Sequence, residues 1–311
     1  MSIMLDVKQR ASYIGGMRKL PLQTRAKLLR LLCEGQSMRA TARLEGVAFN
    51  SVAKLLTEAG AACADLHDEW VVDVPSKRVQ CDEIWAFVHA KEKNVANAKS
   101  APEGAGDCWT WTALCPDTKL MISYAVGDRS AELARMFMFD LADRLANRVQ
   151  LTTDGFGAYL KAVTDAFSGD VDYAQLIKIY GEPTGTKGHE RKYSPAECTG
   201  TRKETVFGKP DMAKVSTSHV ERQNLNMRMG MRRFTRLTNG FSKKVESHAA
   251  MVAVYTTFYN FCRVHKTLRV TPAMQAGLTD HIWDMEEVVA HMDFLAPKPN
   301  RPATYKKQIS E

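Results

Sequence analysis

Val79-Gln80-Cys81-Asp82-Glu83-Ile84-Trp85-Ala86-Phe87-Val88-His89-Ala90 is the stretch that decides the fold. It is dense in β-branched and aromatic residues, so it reads as a strand. Two further stretches of the same kind, Trp109–Cys115 and Leu120–Val126, follow it. Lys91–Asp107, a long Ala/Gly/Asn/Lys loop, joins the first two; a Pro116–Asp117 turn makes the second and third a hairpin. Then the period changes. Ser130 caps a helix over Ala131–Ala146, with Leu133, Ala134, Phe137, Leu141 and Leu145 on one side. Val149–Thr153 is a fourth strand ending at Asp154, Phe156–Phe167 a short helix and Tyr173–Tyr180 a fifth strand. Residues 181–217 hold Gly, Pro, Thr and charges without a period, and read as a long functional or mobile loop. Ser218–Met231 is helical again, and Val245–Arg263 is a second, apolar helix.

Three strands, a helix, a strand, a helix, a strand and a helix is the order of a ribonuclease H-like fold. The expected class is α/β: a mixed sheet flanked by helices over residues 79–296, with 66–78 as a linker. Ahead of it, residues 1–65 read as an all-α helix-turn-helix domain with an N-terminal arm. Leu22, Leu28, Leu29, Leu31 and Leu32 give an apolar helix face that Gly35 stops. Ser37 caps a second helix to Glu45, Gly46 breaks it, and a third opens at Phe49 or Asn50 and runs to Glu58. Ala42, Gly46 and Val52 have helix-turn-helix spacing: a small residue for close packing, a glycine turn, and an aliphatic residue in the second helix. Any three-helix bundle remains the alternative. Residues 297–311, rich in Pro and Lys, read as a disordered basic tail.

The 311 residues carry 43 Lys+Arg against 35 Asp+Glu, a net charge of +8, which makes a polyanionic partner plausible. The N-terminal 65 residues concentrate it, with ten Lys+Arg and five Asp+Glu. No apolar run is long enough for a membrane span, and MSIMLDVKQR lacks the pattern of a signal peptide. The seven cysteines are scattered with no Cys-x-x-Cys pair, which argues against zinc and disulfide frameworks. The expectation is a cytoplasmic, nucleoid-associated bacterial protein with no membrane partner.

Three acids fall at telling places. Asp82 lies in the first strand between apolar neighbours, Asp154 ends the fourth, and Glu221 opens the helix after the loop. In this topology the first and fourth strands are adjacent and that helix crosses their ends, so the three carboxylates can converge. Converging carboxylates repel, and divalent cations relieve the repulsion. Hard oxygen ligands suit Mg²⁺ or Mn²⁺. Two such ions activate the attacking oxygen and stabilise the leaving one in phosphodiester displacement. Asp82 is expected to bridge the pair, with Asp154 on the first ion and Glu221 on the second. The alternatives are Glu83 in place of Asp82, although strand alternation sends it to the other face. Asp154 could be a turn or cap residue, and Glu221 a solvated helix residue.

From Arg222 to Lys244 there are seven Lys+Arg and no acid. At 100° per residue, Glu221, Leu225, Arg228 and Arg232 share a helix face with Asn224 beside it. Arg222, Asn224, Arg228, Arg232 and Arg233 are therefore candidate DNA contacts; a solvated basic face is the plainer alternative. His219 and His265 are candidates for a supporting role around the ligands.

Asp82-Glu83-Ile84-Trp85, Thr153-Asp154-Gly155 and His219-Val220-Glu221-Arg222-Gln223-Asn224-Leu225-Asn226-Met227-Arg228 resemble the motifs of bacterial DDE transposases, closest to the insertion sequence 1 family. Thr238-Asn239-Gly240-Phe241-Ser242-Lys243-Lys244-Val245-Glu246 is similar to that family's segment after the glutamate. Tyr259-Asn260-Phe261-Cys262-Arg263-Val264-His265-Lys266-Thr267-Leu268, then Thr271-Pro272-Ala273, resembles a closing motif of insertion-sequence transposases, with Val264 where Pro is usual. The resemblance spans about residues 20–278 and implies strand cleavage at the ends of a mobile element. A freed 3′ hydroxyl then attacks target DNA. It implies DNA partners (terminal inverted repeats and target) and at least a dimer when two ends are synapsed. The second helix of the helix-turn-helix, with Asn50 and Lys54, is expected to read the repeats. The rival readings are a ribonuclease H-like nuclease that only hydrolyses, and a non-catalytic DNA-binding regulator derived from a transposase.

Overall fold

The computed structural model describes residues 19–181, 198–235 and 238–296. Three helices come first: α1 (Leu22–Cys33), α2 (Met38–Leu44) and α3 (Phe49–Trp70). The central part runs β1 (Arg78–Val88), the single turn α4 (Glu92–Val95), β2 (Gly106–Leu114) and β3 (Met121–Gly127). It continues through α5 (Ala131–Arg144), β4 (Gln150–Asp154), α6 (Ala158–Phe167), β5 (Asp172–Tyr180) and β6 (Cys198–Phe207). After it come α7 (Ser218–Gly230), α8 (Val245–Thr257), the single turn α9 (Pro272–Gln275) and α10 (Met285–Leu295).

The strands form one mixed sheet in the order β3-β2-β1-β4-β5-β6. β1, β2 and β3 are mutually antiparallel, β4 and β5 run parallel to β1, and β6 returns antiparallel to β5. A six-stranded mixed sheet flanked by helices is consistent with the ribonuclease H-like expectation. Trp111 of β2 is fully buried against Phe137 of α5 and Tyr159 of α6, which fixes these helices on one face. On the other face lies α7, whose Met227 Sδ meets the Thr112 hydroxyl of β2 at 3.9 Å. The open edge at β3 is capped by Asn260, in a π-turn (Phe258–Cys262) after α8. Its amide accepts from Met121 N at 3.0 Å and donates to Met121 O at 2.9 Å, which satisfies two edge groups.

Four differences from the sequence reading follow from packing. The third helix does not end at Glu58 but continues to Trp70, into the first part of what read as a linker over 66–78. Gly60 does not break it, because there α3 crosses α8 so closely that an added Cβ would lie 2.4 Å from Ala250 Cβ. Residues 181–217 are not all loop: Cys198–Phe207 is a strand paired along β5. The helix expected from Phe156 begins at Ala158, since Phe156 N is held in a turn by Asp154 Oδ1 at 2.9 Å. The helix expected over Val245–Arg263 is α-helical only to Thr257. The arm before residue 19, the stretch 182–197 and the tail from 297 lie outside the described residues.

The N-terminal helices are not loosely tethered. One apolar cluster runs from Leu28 and Leu29 of α1 through the sheet to Val289 of α10. Arg25 of α1 makes a two-pronged ion pair with Asp293 of α10, at 2.7 and 2.6 Å. Buried Arg144 of α5 donates to the carbonyls of His67 and Val71 at the end of α3, and to Asp68 and Asp140.

Candidate active site

Strand register assembles the site. β1 and β4 pair through Gln80↔Thr152, and the same register carried two residues on sets Asp82 opposite Asp154. β4 and β5 pair Asp154 with Leu176, so Lys178 follows on the same face two residues later. Helix α7 is docked over this face by Gln80, whose Oε1 accepts from the first-turn amides of His219 and Val220 at 3.0 and 3.2 Å. That docking supplies a partner to two amides that a helix start leaves bare. It also brings Asn224, one turn on, to Asp82: Nδ2 donates to Oδ2 at 2.8 Å.

Asp82, Glu83 and Asp154 each offer a carboxylate oxygen, and these oxygens lie within 4.8 Å of one another. Alternation does place Glu83 on the α6 side of β1, opposite Trp111. The β1–β4 ladder has ended by then, so Asp154 stands where both faces meet. Arg129, just before α5, bridges the group: its guanidinium lies 3.0 Å from Glu83 Oε2 and 3.6 Å from Asp154 Oδ2. Glu221 stands apart from this trio. Its Oε1 takes Lys178 Nζ at 2.7 Å and the Thr217 hydroxyl.

The electrostatics report crowding. Burial, then the Asp154 carboxylate, push the Asp82 carboxyl up to about 6, with Glu221 adding to the push and Lys178 opposing it. Burial pushes Glu83 up to about 7, Asp154 contributing, while the Tyr159 hydroxyl and Arg129 pull the other way. Burial works to lower the Lys178 ammonium, but its bond to Glu221 and the charge of Asp82 raise it overall. One oxygen beside the acids, Asn224 Oδ1, is buried without a hydrogen-bond partner among the described residues. Buried polar atoms need partners. Hard oxygen donors around a surplus of negative charge fit a divalent cation of the Mg²⁺ or Mn²⁺ class. Such an ion would take over the neutralising role that Arg129 and Lys178 hold here.

The other sequence candidates are dispersed. Asn224 is buried against Asp82, not offered to solvent. Arg233 does not reach outward: its guanidinium donates to Ser242 Oγ at 3.0 Å, and burial lowers it to about 10. Arg232 is exposed but lies in a 3₁₀ turn beyond the end of α7, so it does not continue the face of Arg228. Arg222 and Arg228 are exposed on α7. Asn50 is exposed in the first turn of α3, and Lys54 sits 3.8 Å from Glu58. His219 and His265 lie outside the acid cluster. His219 Nδ1 is 3.1 Å from Lys119 Nζ, and His265 Nδ1 is 3.0 Å from the Thr267 hydroxyl. Burial and then the Lys119 ammonium lower both rings.

Sequence reasoning missed Arg129, Lys178 and Gln80. Lys178 left a signal, as a lone cation in the apolar strand Leu176-Ile177-Lys178-Ile179. Arg129 left none, because its role comes from the fold bringing the end of β3 beside Asp154.

No family model matches the chain, and no curated protein matches it. Among solved structures, the synaptic complex of piggyBac transposase with hairpin DNA overlaps 96% of this chain and 78% of that one. The identity is 9% and the TM-score 0.40, which fixes no correspondence between residues.

Proposed function

We propose that the chain is the DNA transposase of an insertion sequence, with a ribonuclease H-like catalytic body that cuts and joins DNA strands at the element's ends. The observation that carries this reading is the approach of Asp82 and Asp154 from neighbouring strands, under a helix that brings Glu221 and Asn224 to the same face. In this reading Asp82, Asp154 and Glu221 would hold two Mg²⁺ or Mn²⁺ ions. The ions would supply the charge that activates the attacking oxygen and steadies the leaving one. Asn224 fixes the rotamer of Asp82. Lys178, paired with Glu221 at 2.7 Å, would be placed to meet a phosphate at the site. Arg129 keeps Asp154 facing the site. Arg222 and Arg228 track the backbone of the bound duplex.

The N-terminal part would read the terminal inverted repeats as a helix-turn-helix built on α2 and the start of α3. Supporting that are the positive φ of Gly46 between α2 and α3, and the burial of Ala42 and Val52 on either side of it. Asn50 and Lys54 would face the major groove. Two ends must be held together, so at least a dimer works in the bacterial nucleoid. None of the helices is long and apolar enough to cross a membrane among the described residues.

The test is a cleavage assay on DNA carrying the inverted repeats that flank the gene, with Mn²⁺ or Mg²⁺. The expected products are nicks leaving 3′ hydroxyls and then strand-transfer joints. Hydrolysis without joining on any DNA would favour a simple nuclease. End-specific binding with no cleavage in either metal would favour a regulator.

A further inference from the structure

On the Glu83 face of β1, aromatic rings continue past the acids. Alternation puts Trp85 and Phe87 on that face, and Trp109 of β2 is the register partner of Trp85. Phe241 closes the row: its segment pairs with the end of β1 at Val88↔Ser242, and its ring lies 4.6 Å from that of Phe87. Phe156, after Asp154, flanks the near end. Trp85, Trp109, Phe156 and Phe241 are only half-buried, although rings of this size are usually sealed into a core.

Each of these rings has a cation over it. The Arg129 guanidinium is 4.0 Å from the centre of Phe156 and 4.9 Å from that of Trp109. Lys91 lies 5.9 Å from Trp85 and 6.0 Å from Phe87, and Lys243 lies 3.8 Å from Phe241. The acids at the rim, Glu92 and Asp107, accept from each other's backbone amides at 3.2 Å. The row begins at Arg129, which also touches Asp154.

Half-exposed rings interleaved with cations are what single-stranded nucleic acid requires: flat faces for bases and positive charge for the phosphates between them. A protein partner would call for an apolar core free of lysines. A duplex keeps its base faces stacked and hidden, so it could use the cations but not the rings. We infer that Trp85, Trp109, Phe156 and Phe241, with Lys91, Arg129 and Lys243, form a platform on which unpaired bases of a DNA strand stack beside the Asp154 carboxylate. This rests on the reading of the protein as a DNA-cutting enzyme and adds the form of its substrate: a strand end with unpaired bases leading away from the acids.

The experiment measures binding of the full chain in EDTA to three labelled DNAs. One is a blunt duplex, one carries a short oligothymidine tail, and one carries an abasic tail with the same number of phosphates. The oligothymidine tail should tighten binding by about tenfold or more over the blunt duplex, at the strength of one or two stacked bases. The abasic tail should give little of that gain. Trp85→Ala and Phe241→Ala should each remove most of it and leave blunt-duplex binding unchanged. Trp85→Phe, which keeps a ring, should retain it. An abasic tail that binds as well as the oligothymidine tail overturns the inference in the wild-type protein, whatever the variants do. A full gain in the folded Trp85→Ala protein also overturns it. The readout needs no cleavage, so a chain that stacks tails but never cuts in Mn²⁺ sinks the transposase reading alone.

Discussion

Replacing Asp82 by Asn removes one charge from a crowded site and leaves an oxygen to accept the Asn224 amide. The folded-state carboxyl stands at about 6 against its ordinary 3.8, so folding disfavours the ionised form. The folded chain then binds a proton more tightly than the unfolded one. The cost of ionisation is absent below pH 3.8, grows through about pH 6 and is complete above it. About two pH units at about 1.4 kcal/mol each set an upper value of about 3 kcal/mol, and relaxation of Asp154 and Lys178 halves it to about 1.5. For 311 residues, at about 2.1 cal/mol/K of unfolding entropy each, that is a rise in Tm of roughly 2–3 °C at pH 8, fading at acid pH. Adding Mn²⁺ should raise the Tm of the wild type, because the ion binds only the folded site, and should raise that of Asp82→Asn much less. The assay is a set of thermal melts at pH 4 and 8, with and without Mn²⁺. A variant no more stable than wild type at pH 8, with the same response to Mn²⁺, would refute the picture of a strained acid cluster built for cations.

Three further outcomes are expected. Burial and then Arg144 lower the His67 ring to about 4, while its Nε2 lies 3.0 Å from Ile122 O. The unfolded chain therefore takes the proton first as pH falls below about 6.5. Relative to His67→Gln, the wild type should lose about 2–3 kcal/mol between pH 6.5 and 4.5 in urea melts; parallel profiles would count against this. Gly60→Ala should cost about 2 kcal/mol or more, because the new methyl meets Ala250 Cα at 2.5 Å and backbone cannot easily yield; an unchanged urea midpoint would show that the crossing relaxes. Arg228→Ala should lower the salt dependence of duplex binding by about one unit of slope and leave the Mn²⁺-induced shift in Tm intact; an unchanged slope would remove Arg228 from the DNA path.

The strands were legible because their composition changes sharply from that of the helices. β1 to β5 start and stop within a few residues of where β-branched and aromatic residues do. β6 was not, because Thr199-Gly200-Thr201-Arg202-Lys203-Glu204 is an exposed edge with no apolar face to alternate. The length of α3 was hidden by Gly60, which reads as a breaker locally and is a contact glycine in the fold. This packing also rules out a clean cut after residue 65, which would sever α3 while Arg144 holds its end; point changes at Asn50 and Lys54 are the safer probe. In the site, Asp82 and Asp154 were legible as acids at strand positions where a lone carboxylate is costly. Glu83 was judged by alternation alone, which fixes the face but not the reach of a side chain beside an ended ladder. Asn224 and Arg233 were placed by helical angle and charge, and tertiary contacts turned both inward.

In the proposed mechanism Asp82, Asp154 and Glu221 act together as the metal-holding acids of a DNA-cutting and DNA-joining site. The most direct measurement compares wild type with Asp82→Asn, Asp154→Asn and Glu221→Gln for cleavage and strand transfer of inverted-repeat DNA in Mn²⁺, with binding of the same DNA followed in parallel. Each variant should bind DNA as the wild type does while both reactions fall by several orders of magnitude. If Glu221→Gln still cuts and joins while Glu83→Gln does not, the acids that work are the trio Asp82, Glu83 and Asp154, and the role given to Glu221 is wrong.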